Sequence, residues 1–86
     1  MNDFCKIYQC NGEQVLIMFR EPVDDYENEV EIRMFYNAHG LTLGICECAV
    51  GYKTWEAGEK HFRELTQEFV ENWYNSVYAV AADLIK

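Results

Sequence analysis

The stretch FCKIYQCNGEQVLIMF, residues 4–19, contains two β-prone runs, Phe4 to Cys10 and Val15 to Phe19, on either side of Asn11-Gly12. Both central positions of a type I′ turn need positive φ, which asparagine and glycine tolerate best, so this dipeptide predicts a two-residue β-hairpin. The turn then dictates the register. With Cys10 opposite Glu13, Tyr8 pairs with Val15, Lys6 with Ile17, Phe4 with Phe19 and Asp3 with Arg20. Phe4, Tyr8, Val15, Ile17 and Phe19 share one face, and Cys5, Ile7, Leu16 and Met18 share the other. Both faces are apolar, so the pattern does not say which is dry. The second face calls for cover by a loop or a partner.

Downstream, Glu29 to Tyr36 and Leu41 to Val50 read as a second hairpin around Asn37-Ala38-His39-Gly40. On this reading Val30, Ile32, Met34 and Tyr36 share a face with Leu41, Leu43 and Ile45. Glu31, Arg33, Thr42, Gly44, Cys46 and Cys48 point the other way.

From Thr54 the apolar period becomes helical. Thr54 fits an N-cap and Glu56 suits the first turn. Trp55, Phe62, Leu65, Phe69, Trp73, Val77, Val80 and Leu84 form one stripe that should lie on the sheet. Gly58 is costly inside a helix and predicts a first turn that is irregular or separate from the rest, with no breaker from there to Leu84. Tyr74, Tyr78 and Ile85 fall on a flank beyond the stripe, a second candidate contact surface. The expected fold is α+β: a four-stranded antiparallel sheet of two β-hairpins with a long C-terminal helix packed on one face.

Composition bounds the rest. A chain of 86 residues has room for one core, so residues 1–86 are expected to form a single domain. Two tryptophans, six tyrosines and five phenylalanines argue against intrinsic disorder. Fifteen acids against seven bases give a formal charge of −8, which disfavours direct contact with nucleic acid or anionic membrane. The start, Met1-Asn2-Asp3-Phe4-Cys5, has neither the basic region nor the apolar stretch of an export signal, and no run is long enough to span a membrane. A cytoplasmic location follows as the expectation. Cys5, Cys10, Cys46 and Cys48 are then expected as reduced thiols.

The densest chemical feature is the acidic segment from Glu21 to Glu31, with six acids in eleven residues and no base. Such a run repels itself unless it lies in water or opposite a cationic surface. It reads either as a solvated loop guarding a strand edge or as a dock for lysines and arginines, with Asp24, Asp25, Tyr26, Glu27, Glu29 and Glu31 as the contact residues. Glu64, Glu68 and Glu71 form a second acidic set whose pitch, about 6 Å per four residues, could imitate a row of phosphates. A solvent-facing helix looks the same.

Catalysis and metal binding find less support. Cys46 and Cys48 share a strand face, but Cys5 and Cys10 have opposite parity and neither pair has zinc-knuckle spacing. The acidic loop lacks the glycine and ligand alternation of a calcium-binding EF-hand. His39 and His61 are tied to no nucleophile by a recognised motif, and the glycines form no phosphate loop. No cofactor and no enzymatic activity are expected. The sequence points to an acidic inhibitor or antidote that blocks the basic nucleic-acid-binding surface of a protein such as a nuclease. Anti-CRISPR, anti-restriction and nuclease-immunity proteins use this strategy as classes. A homodimeric structural or assembly module is the alternative, and a zinc-binding cysteine protein a less favoured third.

Overall fold

The structure, a computed structural model, describes residues 4–22, 27–37 and 45–84, with side chains of the last helix described through Ala79. Four strands, β1 (Cys5–Cys10), β2 (Glu13–Arg20), β3 (Val30–Asn37) and β4 (Ile45–Tyr52), form one antiparallel sheet in the order β1-β2-β3-β4. Two helices follow, α1 (Trp55–Arg63) and α2 (Gln67–Leu84), both on one face of the sheet. The α+β architecture is the one expected.

The first hairpin has the predicted register, with Cys10 opposite Glu13, Tyr8 opposite Val15 and Lys6 opposite Ile17. Asn11 and Gly12 have φ of 54° and 79°, the left-handed values the turn demands. The helices settle which face is dry. Val15, Ile17 and Phe19 are buried beneath them with Val30, Ile32, Met34 and Tyr36. The opposite face is open: Ile7 and Ile45 are 63% and 70% exposed beside half-buried Leu16, Met18 and Phe35.

In the second hairpin the expected faces are reversed over β4. Asn37 pairs with Ile45, Tyr36 with Cys46, Met34 with Cys48 and Ile32 with Val50. Cys46 and Cys48 therefore look toward the helices, and Ile45 looks outward. A tetrapeptide turn after Tyr36 would have given the opposite parity, and an odd shift of register moves every side chain to the other face. The parts of that expectation falling on residues 38–44 lie outside the described residues.

The helical half also departs from the single long helix. Thr54 caps α1 as expected, its Oγ1 accepting from Ala57 N at 3.2 Å. Gly58 does not disturb α1; it is buried against the sheet. The chain breaks instead at Glu64–Thr66. Lys6 caps the end of α1 by donating from Nζ to the Phe62 carbonyl at 2.7 Å, its ammonium 4.7 Å from the Phe62 ring centre. Thr66 then starts α2, its Oγ1 accepting from Phe69 N at 3.1 Å.

This break rephases the apolar stripe by one residue. Val70 and Tyr74 enter the core, Trp73 and Val77 pack beside them, and Phe69 is left exposed. Tyr74, expected on a spare flank, is 1% exposed and packs edge-on against Tyr36. Tyr78 is half-buried against Tyr74, and Ile85 lies outside the described residues. The other end of the core is an aromatic cluster of Phe4, Phe19, Trp55 and Phe62 with ring centres 4.7–6.4 Å apart.

Candidate functional site

Of the acidic segment, Asp24, Asp25 and Tyr26 lie outside the described residues. Glu27 and Glu29 are exposed at the end of the sheet where β4 passes into α1. Glu29 N donates to the Tyr52 carbonyl at 2.9 Å, and Lys53 Nζ donates to the Glu27 carbonyl at 3.4 Å. The Glu27 carboxylate is 4.0 Å from the same ammonium, and both groups are largely in water. That pair neutralises little.

Glu31 does not belong with these exposed acids. Strand alternation places it on the outer face, directly across from Arg20 and two residues before Arg33, and it is only 3% exposed. Arg20 Nε donates to it at 3.2 Å, and Arg33 grips both carboxylate oxygens, with Nη2 to Oε1 at 3.0 Å. Burial acts to raise the carboxyl pKa, but the hydrogen bonds and charges of Arg33 and Arg20 outweigh it and hold it below the ordinary glutamate value. Arg33 is also 2.8 Å from Glu47. Glu31 is an internal counter-ion on the sheet rather than a contact for a partner.

Glu64, Glu68 and Glu71 are all exposed, but they do not form one straight row. Glu64 is the C-cap of α1, whereas Glu68 opens α2. Glu71 accepts from Gln67 Nε2 at 2.9 Å, while the same amide reaches the Gln9 carbonyl at 2.6 Å. Through Gln67, Glu71 is tied to the β1 side of the sheet.

The balance of surface charge follows from these pairings. Among the described residues, the exposed acids are Glu21, Glu27, Glu29, Glu47, Glu56, Glu64, Glu68 and Glu71. The exposed bases are Lys53, Lys60 and Arg63, and Arg63 is 3.1 Å from Glu59. Arg20 and Arg33 are committed to Glu31, and Lys6 to α1. Among the described residues, exposed acids therefore outnumber exposed bases.

Sequence reading gave no sign of the groove between the helices. Because α1 and α2 diverge from the break at Glu64–Thr66, they leave a cavity of about 410 Å³ over the β4 side of the sheet. Val50 and Tyr52 floor it, Leu65 closes its inner end, and His61, Phe69 and Trp73 form its walls. Its lining is mostly apolar, of a size suited to a side chain or small ligand. Tyr52 hydroxyl and His61 Nδ1 are hydrogen-bonded. Burial pushes the Tyr52 phenol up. His61 also meets Phe69 edge-on, with ring centres 5.1 Å apart. Only the β4 register could have located this groove, since it puts Val50 and Tyr52 on the helix side.

All four cysteines are free thiols. Cys48 is pushed up to about 11 by burial, against the partial opposing effect of the Trp73 indole N–H and Arg33. Cys5 is exposed on the outer face and Cys10 is buried at the far end of β1, away from a common centre with Cys46 and Cys48. Among the described residues no group of three or more histidines, cysteines, aspartates or glutamates could hold a metal ion, and no helix is long and apolar enough to cross a membrane. No family model matches the chain, and no curated protein or solved structure matches it either.

Proposed function

We propose that this protein is a non-catalytic acidic domain that binds a cationic protein partner and blocks its nucleic-acid-binding surface. In strategy it resembles anti-CRISPR, anti-restriction and nuclease-immunity proteins as classes. The carrying observation is the commitment of Arg20 and Arg33 to buried Glu31, which leaves the exposed acids in large excess over exposed bases. Charge arranged this way accelerates encounter with a basic surface and discourages nucleic acid itself. Its setting in this reading is the reducing cytoplasm, where the cysteines remain thiols.

The contact set comprises Asp24, Asp25, Tyr26, Glu27 and Glu29 on the acidic segment, with Glu64, Glu68 and Glu71 on the helices. Immobilised protein in a nuclease-treated lysate should retain a basic protein at low salt and release it at high salt or when duplex DNA is added. Reversing Glu27, Glu29, Glu64 and Glu68 to lysine should abolish capture while leaving the circular dichroism spectrum unchanged. Equal capture by that variant at low salt would sink the reading.

A second reading rests on the outer sheet face, where Ile7 and Ile45 stand exposed around Leu16 and Phe35. An apolar patch of this kind can hold a second copy of the chain. A dimer in sedimentation that persists at high salt and is lost in the Ile7→Lys, Ile45→Lys variant would favour it.

A further inference from the structure

Among the described residues, strand β4 ends the sheet without a further strand beside it. The opposite edge strand, β1, has a helix beside it, since Gln67 bonds the Gln9 carbonyl and Lys6 the end of α1. α1 touches the inner face of β4 through His61 and Tyr52, but among the described residues no helix side chain bonds the β4 backbone. Its eight residues, ICECAVGY, contain no proline or lysine, and their one charge, Glu47, is paired with Arg33 of β3. Its Ala49, Val50 and Gly51 are exposed. A free edge of this length offers a row of backbone donors and acceptors to an incoming strand.

Beside this edge lies the groove. Two of its floor residues, Val50 and Tyr52, belong to β4 itself, and Phe69 and Trp73 overhang them from α2. A strand laid along β4 would send alternate side chains toward this groove. Backbone pairing plus a pocket for alternate side chains is the arrangement by which sheet edges recognise extended peptides.

We infer that β4 and the adjoining groove are a docking site for an extended lysine- or arginine-bearing segment of a protein partner, added as a fifth strand with an apolar side chain in the groove. The choice of a cationic segment rests on the proposed function. Charge complementarity selects it over the alternatives. A second copy would bring another net charge of −8 to the same edge. Glu64 directly precedes groove-lining Leu65, and Glu68 shares a helix flank with groove-lining Asn72. Both carboxylates are exposed, placed to meet the cations that flank the apolar anchor.

The test uses short synthetic β-prone peptides, fluorescently labelled and read by anisotropy. One alternates lysine and threonine around a central phenylalanine. Its companions replace the phenylalanine by serine, the lysines by glutamate, or alternate backbone N–H groups by N-methyl. The lysine-phenylalanine peptide should bind, shift the Trp73 indole N–H resonance, and exceed the serine peptide by about tenfold or more. N-methylation should remove binding. Ser76→Trp, which fills the groove from an exposed helix position, and Asn72→Lys, which sets a cation at its lip, should each weaken binding similarly while preserving the far-UV spectrum.

If the serine and phenylalanine peptides bind alike and neither variant matters, the docking site is overturned although the electrostatic function survives. If the glutamate peptide binds as tightly as the lysine peptide, the cationic occupant is overturned and the proposed function falls with it. A salt-resistant dimer dissociated by Ser76→Trp would replace the peptide with a second copy. Failure of the lysine-phenylalanine peptide to bind at all overturns the inference.

Discussion

Gly58 approaches Val30 so closely that a Cβ on the glycine would lie 2.6 Å from Val30 Cγ1, and 2.9 Å from Phe19 Cε1 as well. Neither obstacle can swing away, because Val30 and Phe19 are themselves packed in the core. The missing side chain is what lets α1 settle onto β2 and β3. Gly58→Ala should therefore destabilise the fold by about 1–2 kcal/mol, the clash outweighing the gain of roughly 1 kcal/mol in helix propensity. Urea unfolding of the variant would check the sign, and a gain in stability would contradict the close packing described.

Glu31 makes stability depend on acid. Its folded pKa is depressed, so the contribution is fully present above the ordinary glutamate value of about 4.3 and is lost as pH falls through the lower folded value. Unfolding free energy measured by denaturant should decline on acidification through that window. Glu31→Gln should reduce stability at neutral pH by about 2–3 kcal/mol, because Arg20 and Arg33 lose a shared anion, and should flatten the acid-side slope. A slope unchanged by the substitution would assign the acid dependence to other carboxylates.

Local chemistry was readable where it alone determines structure. Asn11-Gly12 admits one compact turn, and counting back from it pairs Tyr8 with Val15 correctly. The connection from β3 to β4 has no such dipeptide, so the parity of Cys46 and Val50 depended on where pairing resumes. That is set by tertiary packing under the helices. The break near Leu65 was equally hard to see, because Leu65 continues the apolar period and Thr66 is tolerated inside helices; Thr66 followed by Glu68 was the faint capping signal. Once both features shift, the groove appears where a straight helix would have covered or missed it. The acidic character was legible throughout, but the separation of Glu31 from its neighbours required Arg20 and Arg33 to meet across strands.

Tyr74 is buried with a hydroxyl that has no hydrogen-bond partner among the described residues. Burial also pushes its phenol up, so the group remains a neutral O–H at physiological pH. Removing an unsatisfied buried hydroxyl while keeping the ring should relieve a desolvation cost. Tyr74→Phe is expected to stabilise by about 1 kcal/mol, or raise Tm by roughly 4–8 °C. A loss of stability in scanning calorimetry would mean that the hydroxyl is satisfied in solution.

Cys48 should be a slow thiol despite lying on an edge strand. With its pKa pushed up to about 11, only on the order of one molecule in a thousand carries the thiolate at pH 8. An ordinary cysteine, near 8.5, is ionised in roughly a quarter of molecules there. The greater nucleophilicity of a high-pKa thiolate recovers part of this difference, leaving an expected deficit of roughly tenfold to a hundredfold in alkylation rate. Timed iodoacetamide labelling with peptide mass spectrometry should find exposed Cys5 modified first and Cys48 well behind. The smaller side chain of Trp73→Phe should admit reagent to Cys48 and narrow that gap, although it also removes a neighbour that holds the thiol pKa down. Equal rates for Cys5 and Cys48 in the unmodified chain would instead show that α2 lifts from β4 often enough to expose the strand.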